Sequence, residues 1–250
     1  MKKNRNLATF LFIAALVQIY VIYHFYQKSV KEDHEAIVSL RSEGFDKLSA
    51  GKYQSAVAFF NKVLEIEEKD TSAWMLRGLS FQGLKKYSEA ENDFKHVLEI
   101  DPNKTDAFVL LGNLYYEQGD SKKALECYMK GERSDRGNPI VPIHKAAYFL
   151  KMKMPDDALT ELEKVQKLKP EFEELQSYFG EAYFLKGDFT TAKIYIENAL
   201  AKKSGDQKAL ITLGSIQLQS GNKKEACSLF EQALNSGAAS AADSLKKYCR

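Results

Sequence analysis

The side chains that most often perform catalysis or bind metals are scattered along this 250-residue sequence. The only close grouping around a histidine is Asp33-His34-Glu35, and three adjacent side chains point in different directions on a helix. Serines are frequent, but none can be assigned a histidine and a carboxylate as in a catalytic triad. No glycine-rich segment stands before a helix in the pattern that binds phosphate. The sequence therefore predicts no enzyme, no metal site and no cofactor.

The three cysteines are sulfur groups whose pairing depends on the cellular compartment. Cys127 and Cys227 fall within predicted helices, where a cysteine is most simply a small core residue. The count is odd and no Cys-x-x-Cys spacing occurs, so a disulfide framework is not expected. A single bridge between Cys227 and Cys249 is possible outside the cytosol.

A regular spacing of small and large residues runs through most of the chain. Alanines recur every 34 residues without insertion, each preceded by a small residue twelve positions earlier and followed by a large apolar one four positions later. A fixed period of this length is typical of stacked helical repeats. The alanines are Ala56, Ala90, Ala124, Ala158, Ala192 and Ala226; the small residues are Gly44, Gly78, Gly112, Ala146, Gly180 and Gly214; the large ones are Phe60, Phe94, Tyr128, Leu162, Ile196 and Phe230.

This spacing predicts pairs of helices that cross closely. Small residues allow two helix backbones to approach, and a large apolar side chain fills the space beside the crossing. Glycines at the predicted turns, such as Gly51 and Gly119, supply the positive φ that ends a first helix. Pro102 and Pro170 mark the exits from second helices.

The pattern resembles the tetratricopeptide repeat over residues 37–240. The resemblance is carried by Trp74, Gly78, Phe81, Tyr87, Ala90, Phe94 and Pro102, and by Phe108, Leu111, Gly112, Tyr115, Ala124 and Tyr128. It implies an all-α fold, a right-handed α-solenoid of six helix pairs followed by a C-terminal capping helix. Two positions depart from the family pattern, because Pro142 occupies the place of Trp74 and Arg77 replaces the usual leucine.

The first 26 residues differ from the repeats. Lys2, Lys3 and Arg5 precede an almost uncharged run over residues 7–26, which is long enough to cross a bilayer as a helix. No pair of small residues suitable for signal cleavage follows this run, so an uncleaved transmembrane anchor is predicted, with a cleaved signal peptide as the alternative. The excess of basic residues before the run favours a cytosolic N-terminus and extracytoplasmic repeats, periplasmic in a bacterium.

These features predict the following organisation of the chain. Residues 1–6 form a basic flank, 7–26 a transmembrane helix and 27–36 a charged connector without glycine or proline. Six repeats then occupy 37–70, 71–104, 105–138, 139–172, 173–206 and 207–240, and 241–250 form a capping helix. The composition, 28% charged with a net charge of +2 and interleaved signs, is that of an ordinary folded protein and excludes a nucleic-acid-binding surface.

The resemblance implies that the first helices of the pairs line a concave groove that binds protein partners. Some family members bind the C-terminal carboxylate of chaperones with Lys, Arg and Asn on three consecutive first helices, and only Asn113 matches here. The predicted groove has an apolar floor of Phe45, Met75, Leu79, Val109, Tyr116, Ile143 and Leu150. Its polar residues, Arg41, Asn113, Glu117 and Glu181, are predicted to set the direction and register of the partner.

The predicted function is that of a membrane-anchored scaffold or adaptor without catalytic activity. It would bind apolar or amphipathic segments of unidentified protein partners in the groove, in envelope assembly, secretion or chaperone complexes. The lipid bilayer is a predicted partner through residues 7–26, and nucleic acid is not. The alternatives are an import receptor with cytosolic repeats and a secreted or periplasmic repeat protein with a cleaved signal peptide.

Overall fold

Helices alone make up the secondary structure of the described chain. The computed structural model describes the backbone of residues 2–249 and the side chains of Gln18 and residues 20–249. Thirteen α-helices and no strand lie within the described backbone. They are α1 (Lys2–Ser49), α2 (Tyr53–Ile66), α3 (Thr71–Gly83), α4 (Tyr87–Ile100), α5 (Thr105–Glu117), α6 (Ser121–Ser134), α7 (Ile140–Lys151), α8 (Pro155–Leu168), α9 (Leu175–Lys186), α10 (Phe189–Lys202), α11 (Gln207–Gln219), α12 (Lys223–Asn235) and α13 (Ala241–Tyr248).

The predicted all-α fold of helix pairs is confirmed. The second helices from α2 to α12 begin at 34-residue intervals, and α13 follows the last pair. The helices form two compact units, Met1–Ala107 and Phe108–Arg250. Each unit contains adjacent antiparallel helices whose apolar sides face one another, as amphipathic helices do when they build a core.

The alanine period marks the core of both units. All six periodic alanines, from Ala56 to Ala226, are fully buried. In the first unit a β-carbon added to Gly78 would lie 2.5 Å from the ring of Phe94, so this glycine is needed for the close helix crossing. In the second unit, a β-carbon added to Gly112 would lie 2.4 Å from the ring of Tyr128. The spacing therefore reports a direct contact between the two helices of a pair.

Turns and caps fix where the helices begin and end. Gly51, Gly119 and Gly187 have the positive φ predicted for the turns after first helices. Where the second and fourth repeats lack glycine, Lys85 and Lys153 adopt this left-handed conformation instead. Several first and second helices also begin with an aspartate cap; Asp120, for example, accepts a hydrogen bond from the backbone N–H of Lys123 at 3.1 Å.

The N-terminal helix α1 runs without interruption from Lys2 to Ser49. The segment 27–36, predicted as a connector, is therefore helical and continuous with the first helix of the first repeat. Of the predicted membrane segment 7–26, residues 7–17 and Ile19 lie outside the described side chains. Among the residues that are described, no helix is long and apolar enough to span a membrane.

Candidate partner-binding surfaces

An apolar surface lies on the first helices of the N-terminal unit. Val38 and Phe45 are separated by seven residues, about two helical turns, so they share one face of α1, and each is 53% exposed. The first helix of the next pair, α3, contacts α1 and carries the half-buried Met75 and Leu79 one repeat further along. These four residues are called the N-terminal apolar face. Large apolar side chains grouped on a surface usually mark a binding site.

Arg41, predicted to orient a partner, is instead engaged within the protein. Its guanidinium donates a hydrogen bond to the Asp70 carboxylate, which is itself buried. Asp70 also caps α3, because its other oxygen accepts from the backbone N–H of Ala73 at 2.9 Å. Arg41 thus connects the first repeat to the beginning of the second.

A second arginine in this unit was not predicted to have a role. Arg77 makes two parallel hydrogen bonds to the Asp93 carboxylate, at 2.9 and 2.7 Å, and a third to Asn61 at 2.8 Å. Its guanidinium also lies 4.3 Å from the centre of the Trp74 ring. Burial raises the pKa of Asp93 even though Arg77 acts in the opposite direction. The sequence contains a signal for this pair, since 16 residues separate Arg77 from Asp93 as they separate Gly78 from Phe94.

In the C-terminal unit, three predicted groove residues belong to the core. Val109, Ile143 and Leu150 are only 3–6% exposed. Ile143 and Leu150 pack in the cluster that also contains Leu162 and Phe179. The prediction that these three side chains form an exposed floor is therefore not met in this structure, because the neighbouring helices already cover them.

Other predicted groove residues of this unit make internal contacts. Asn113 accepts a hydrogen bond from the Tyr128 hydroxyl at 2.7 Å, and burial raises the pKa of Tyr128. Tyr116 is half-buried and packs edge-on against Tyr148, with ring centres 5.6 Å apart. Glu117 is exposed at the end of α5. Of these, only Glu117 is fully available to a partner.

A polar cleft of about 560 Å³ lies on α9, α11 and the turn before α13. Within this C-terminal cleft, the predicted groove residue Glu181 accepts a hydrogen bond from Lys208 Nζ at 2.8 Å. Burial opposes a charge on Lys208, but the adjacent Glu181 carboxylate outweighs it and raises the pKa of the lysine. On another wall, Ser177 donates to Asp206 at 2.6 Å. The polar groups of the cleft therefore largely satisfy one another.

Four charged side chains form a compact cluster on α6, α7 and α8. Lys145 Nζ lies 2.6 Å from Glu161 and 2.8 Å from Glu132. Lys164 Nζ reaches the same two carboxylates at 3.0 and 2.9 Å. Lys145 and Glu161 are buried, and the two positive and two negative charges balance. Such a balanced cluster fixes the packing of three helices rather than binding a ligand.

The cysteine prediction is resolved in part. Cys227 of α12 and Cys249 after α13 form a disulfide bridge, as the sequence allowed. Cys127 is buried and lies outside this bridge, in accordance with a core position. In the part of the chain that the structure describes, no group of three or more His, Cys, Asp or Glu side chains is placed to hold a metal ion.

Two stretches of the chain match known repeat families. Residues 82–141 and 207–236 match two family models of the tetratricopeptide repeat. The structure is similar to a tetratricopeptide repeat protein from Parabacteroides merdae, with a TM-score of 0.72 and 19% identity over 86% of this chain and 84% of that one. At this identity the likeness concerns the fold.

Curated relatives match only in part. RNA polymerase II-associated protein 3 of Gallus gallus is 43% identical over 42 residues, which are 17% of this chain and 6% of the relative. A TPR repeat-containing protein of Methanocaldococcus jannaschii is 26% identical over 114 residues, 46% of this chain and 20% of the relative. The chain thus spans at most a fifth of these two relatives.

Proposed function

We propose that this array of tetratricopeptide repeats is a membrane-anchored scaffold that binds an apolar or amphipathic partner segment on the N-terminal apolar face. The observation that carries the proposal is that Val38 and Phe45, two turns apart on one face of α1, are both exposed. Met75 and Leu79 extend the same kind of surface on the adjacent first helix. An amphipathic helix can lay its apolar side into such a surface, with its polar side toward water.

The size of this surface fits a moderate affinity. Burying one large apolar side chain is worth roughly 1.5–3 kcal/mol, and both Val38 and Phe45 have about half of their surface left to bury. Met75, Leu79 and the partner's own apolar residues add to this gain, and the cost of association then leaves at most the roughly 8 kcal/mol of a micromolar complex. A reversible interaction is therefore expected.

The test is a charge placed on this surface. Phe45→Glu should abolish partner capture from detergent-solubilised membranes, because a carboxylate cannot be buried against an apolar segment without a large desolvation cost. Ile194→Glu is the matched control: Ile194 is 56% exposed on α10, so the same charge is added to a similarly exposed apolar site. Both variants should keep wild-type helix content. Equal capture by wild type and Phe45→Glu would refute the proposed surface.

The proposed anchor is the run of residues 7–26 at the beginning of α1. Its described part supports this, because Tyr20, Ile22, Tyr23, Phe25 and Tyr26 are each at least 60% exposed and cover several sides of the helix. Aromatic residues favour the interface between membrane and water. The full chain should resist carbonate extraction, whereas a variant beginning at Glu32 should be released. A mature N-terminus located after residue 20 would instead establish the cleaved signal peptide.

We further propose that the repeats lie outside the cytosol, in a setting such as envelope assembly, secretion or chaperone complexes. The Cys227–Cys249 bridge supports this location, because disulfides persist in oxidising compartments and are rare in the cytosol. Protease added to intact spheroplasts should digest the repeats. Repeats that are digested only after lysis would favour the import-receptor alternative, in which they face the cytosol.

A further inference from the structure

The last helix, α13, lies against α12 but buries few of its residues. It is eight residues long, too short to be stable as an isolated helix. Ala241 at its beginning is the one residue of α13 that is fully buried, and Leu245 is only half-buried. The apolar cluster beneath it consists of Leu210 of α11 and Leu229 and Ala233 of α12, together with Ala238 and Ala241. Tyr248, at the far end of α13, is 37% exposed, so this end packs less closely than the beginning of the helix.

The turn that precedes α13 is better attached than the helix. The side-chain amide of Gln207 donates to the Ser236 carbonyl at 2.6 Å, and Ala238 is buried. Ser236, Ala238 and Ser240 of this turn also form one wall of the C-terminal cleft. The position of the turn thus affects both the shape of the cleft and the burial of the apolar cluster.

The disulfide closes around this turn and helix. Cys227 lies in the first half of α12, Cys249 directly follows α13, and 22 positions separate them. The bridge therefore ties the weakly packed end of α13 back to α12. Within the described residues, it is the one covalent bond that joins α13 to the last helix pair apart from the chain itself.

We propose that the Cys227–Cys249 disulfide is a redox-sensitive clamp, and that its reduction releases α13 from the last repeat. In the reaction, a thiolate of a dithiol reductant attacks one sulfur of the bridge and displaces the other as a thiolate. The second thiol of the reductant then resolves the mixed disulfide. Two electrons and two protons pass to the cysteines, which become thiols, and the reductant becomes a disulfide.

Release of α13 exposes the cluster around Leu229 and Ala233 and loosens the cleft wall at Ser236–Ser240. The bridge acts by restricting the open state, since a closed loop has fewer conformations than a free end. For a loop of this length, the chain-entropy model gives a change in the opening equilibrium of roughly three hundredfold. The clamp is independent of the N-terminal apolar face, so neither proposal depends on the other.

Amide hydrogen exchange of the full chain in detergent tests the clamp. The wild type is compared before and after dithiothreitol treatment, with thiols counted by maleimide labelling, and beside the double variant Cys227→Ser/Cys249→Ser. Peptides covering residues 241–248 should exchange roughly three hundredfold faster after reduction and in the double variant. Peptides from α9 and α10 should not change.

The double variant also controls for Cys127. Dithiothreitol should have no further effect on it, because the buried Cys127 is then the only cysteine left. Unchanged exchange of residues 241–248 after verified reduction would overturn the clamp. A rise of equal size in α9 and α10 would overturn it as well, since the bridge would then support the stability of the whole unit rather than the position of α13.

Discussion

Replacing Gly78 by alanine tests the physical basis of the repeat. A β-carbon at this position would lie 2.5 Å from Cε1 of Phe94, far inside van der Waals contact. Both residues are buried where α3 crosses α4, so the ring of Phe94 cannot move into solvent. Overpacking a core lowers the free energy of unfolding by about 1–3 kcal/mol. The higher helix propensity of alanine raises it by up to about 1 kcal/mol relative to glycine. Gly78→Ala should therefore lower the free energy of unfolding by about 1 kcal/mol or more.

The chain itself offers the compensating change. In the fourth repeat, Ala146 and Leu162 occupy the positions of Gly78 and Phe94, and both are fully buried. The double variant Gly78→Ala/Phe94→Leu reproduces this pair in the second repeat. Because leucine lacks the ring atoms that the new methyl group would meet, the two substitutions should couple favourably by about 1 kcal/mol.

Urea unfolding of the full chain in detergent, followed by circular dichroism, measures both effects. The single variants Gly78→Ala and Phe94→Leu and the double variant complete a mutant cycle. A neutral or stabilising Gly78→Ala would refute the close crossing. Strictly additive effects would show that the glycine and the ring do not act on each other, contrary to the contact described above.

Three further outcomes follow from buried charges and from the core. Arg77→Leu should destabilise the protein by about 3–5 kcal/mol in thermal or urea unfolding, because the buried Asp93 loses its cation. Burial opposes ionisation of Glu132, but its hydrogen bonds to Lys145 and Lys164 outweigh this effect and lower the pKa of the carboxyl. The resulting stabilisation is present above the usual glutamate pKa and is lost as the pH falls through the lowered value, so Glu132→Gln should flatten the acid limb of the stability profile. Val109→Asp should unfold the second unit, seen as lost ellipticity, because it buries a carboxylate without a partner.

Sequence spacing predicted the helix pairs because it records a short-range contact. Alanine, glycine and the large apolar residue recur wherever two helices cross, and all six alanines are buried as expected. Turn positions followed in the same way from glycine, although Lys85 and Lys153 show that the left-handed turn is formed without it in two repeats. The turn requires a residue with positive φ, and glycine is the residue that most often adopts this conformation.

The surface was harder to predict because exposure depends on neighbouring side chains. Position on a helix gives the direction of Val109, Ile143 and Leu150, but bulky residues of adjacent helices determine that these three are covered. The hydrogen bond between Arg41 and Asp70, 29 residues apart, could not be predicted from the repeat pattern either. Of the predicted apolar floor, Phe45 is exposed, whereas Met75 and Leu79 are half-buried.

A photo-crosslinking amino acid placed at position 45 tests the central claim most directly. The same residue at position 194 provides the comparison, since Phe45 and Ile194 are similarly exposed in the wild type. Illumination of cells that produce the full chain should give discrete crosslinked partner bands from position 45 and none of these bands from position 194. Identical bands from both positions, or bands from position 194 alone, would contradict binding of a partner segment on the N-terminal apolar face.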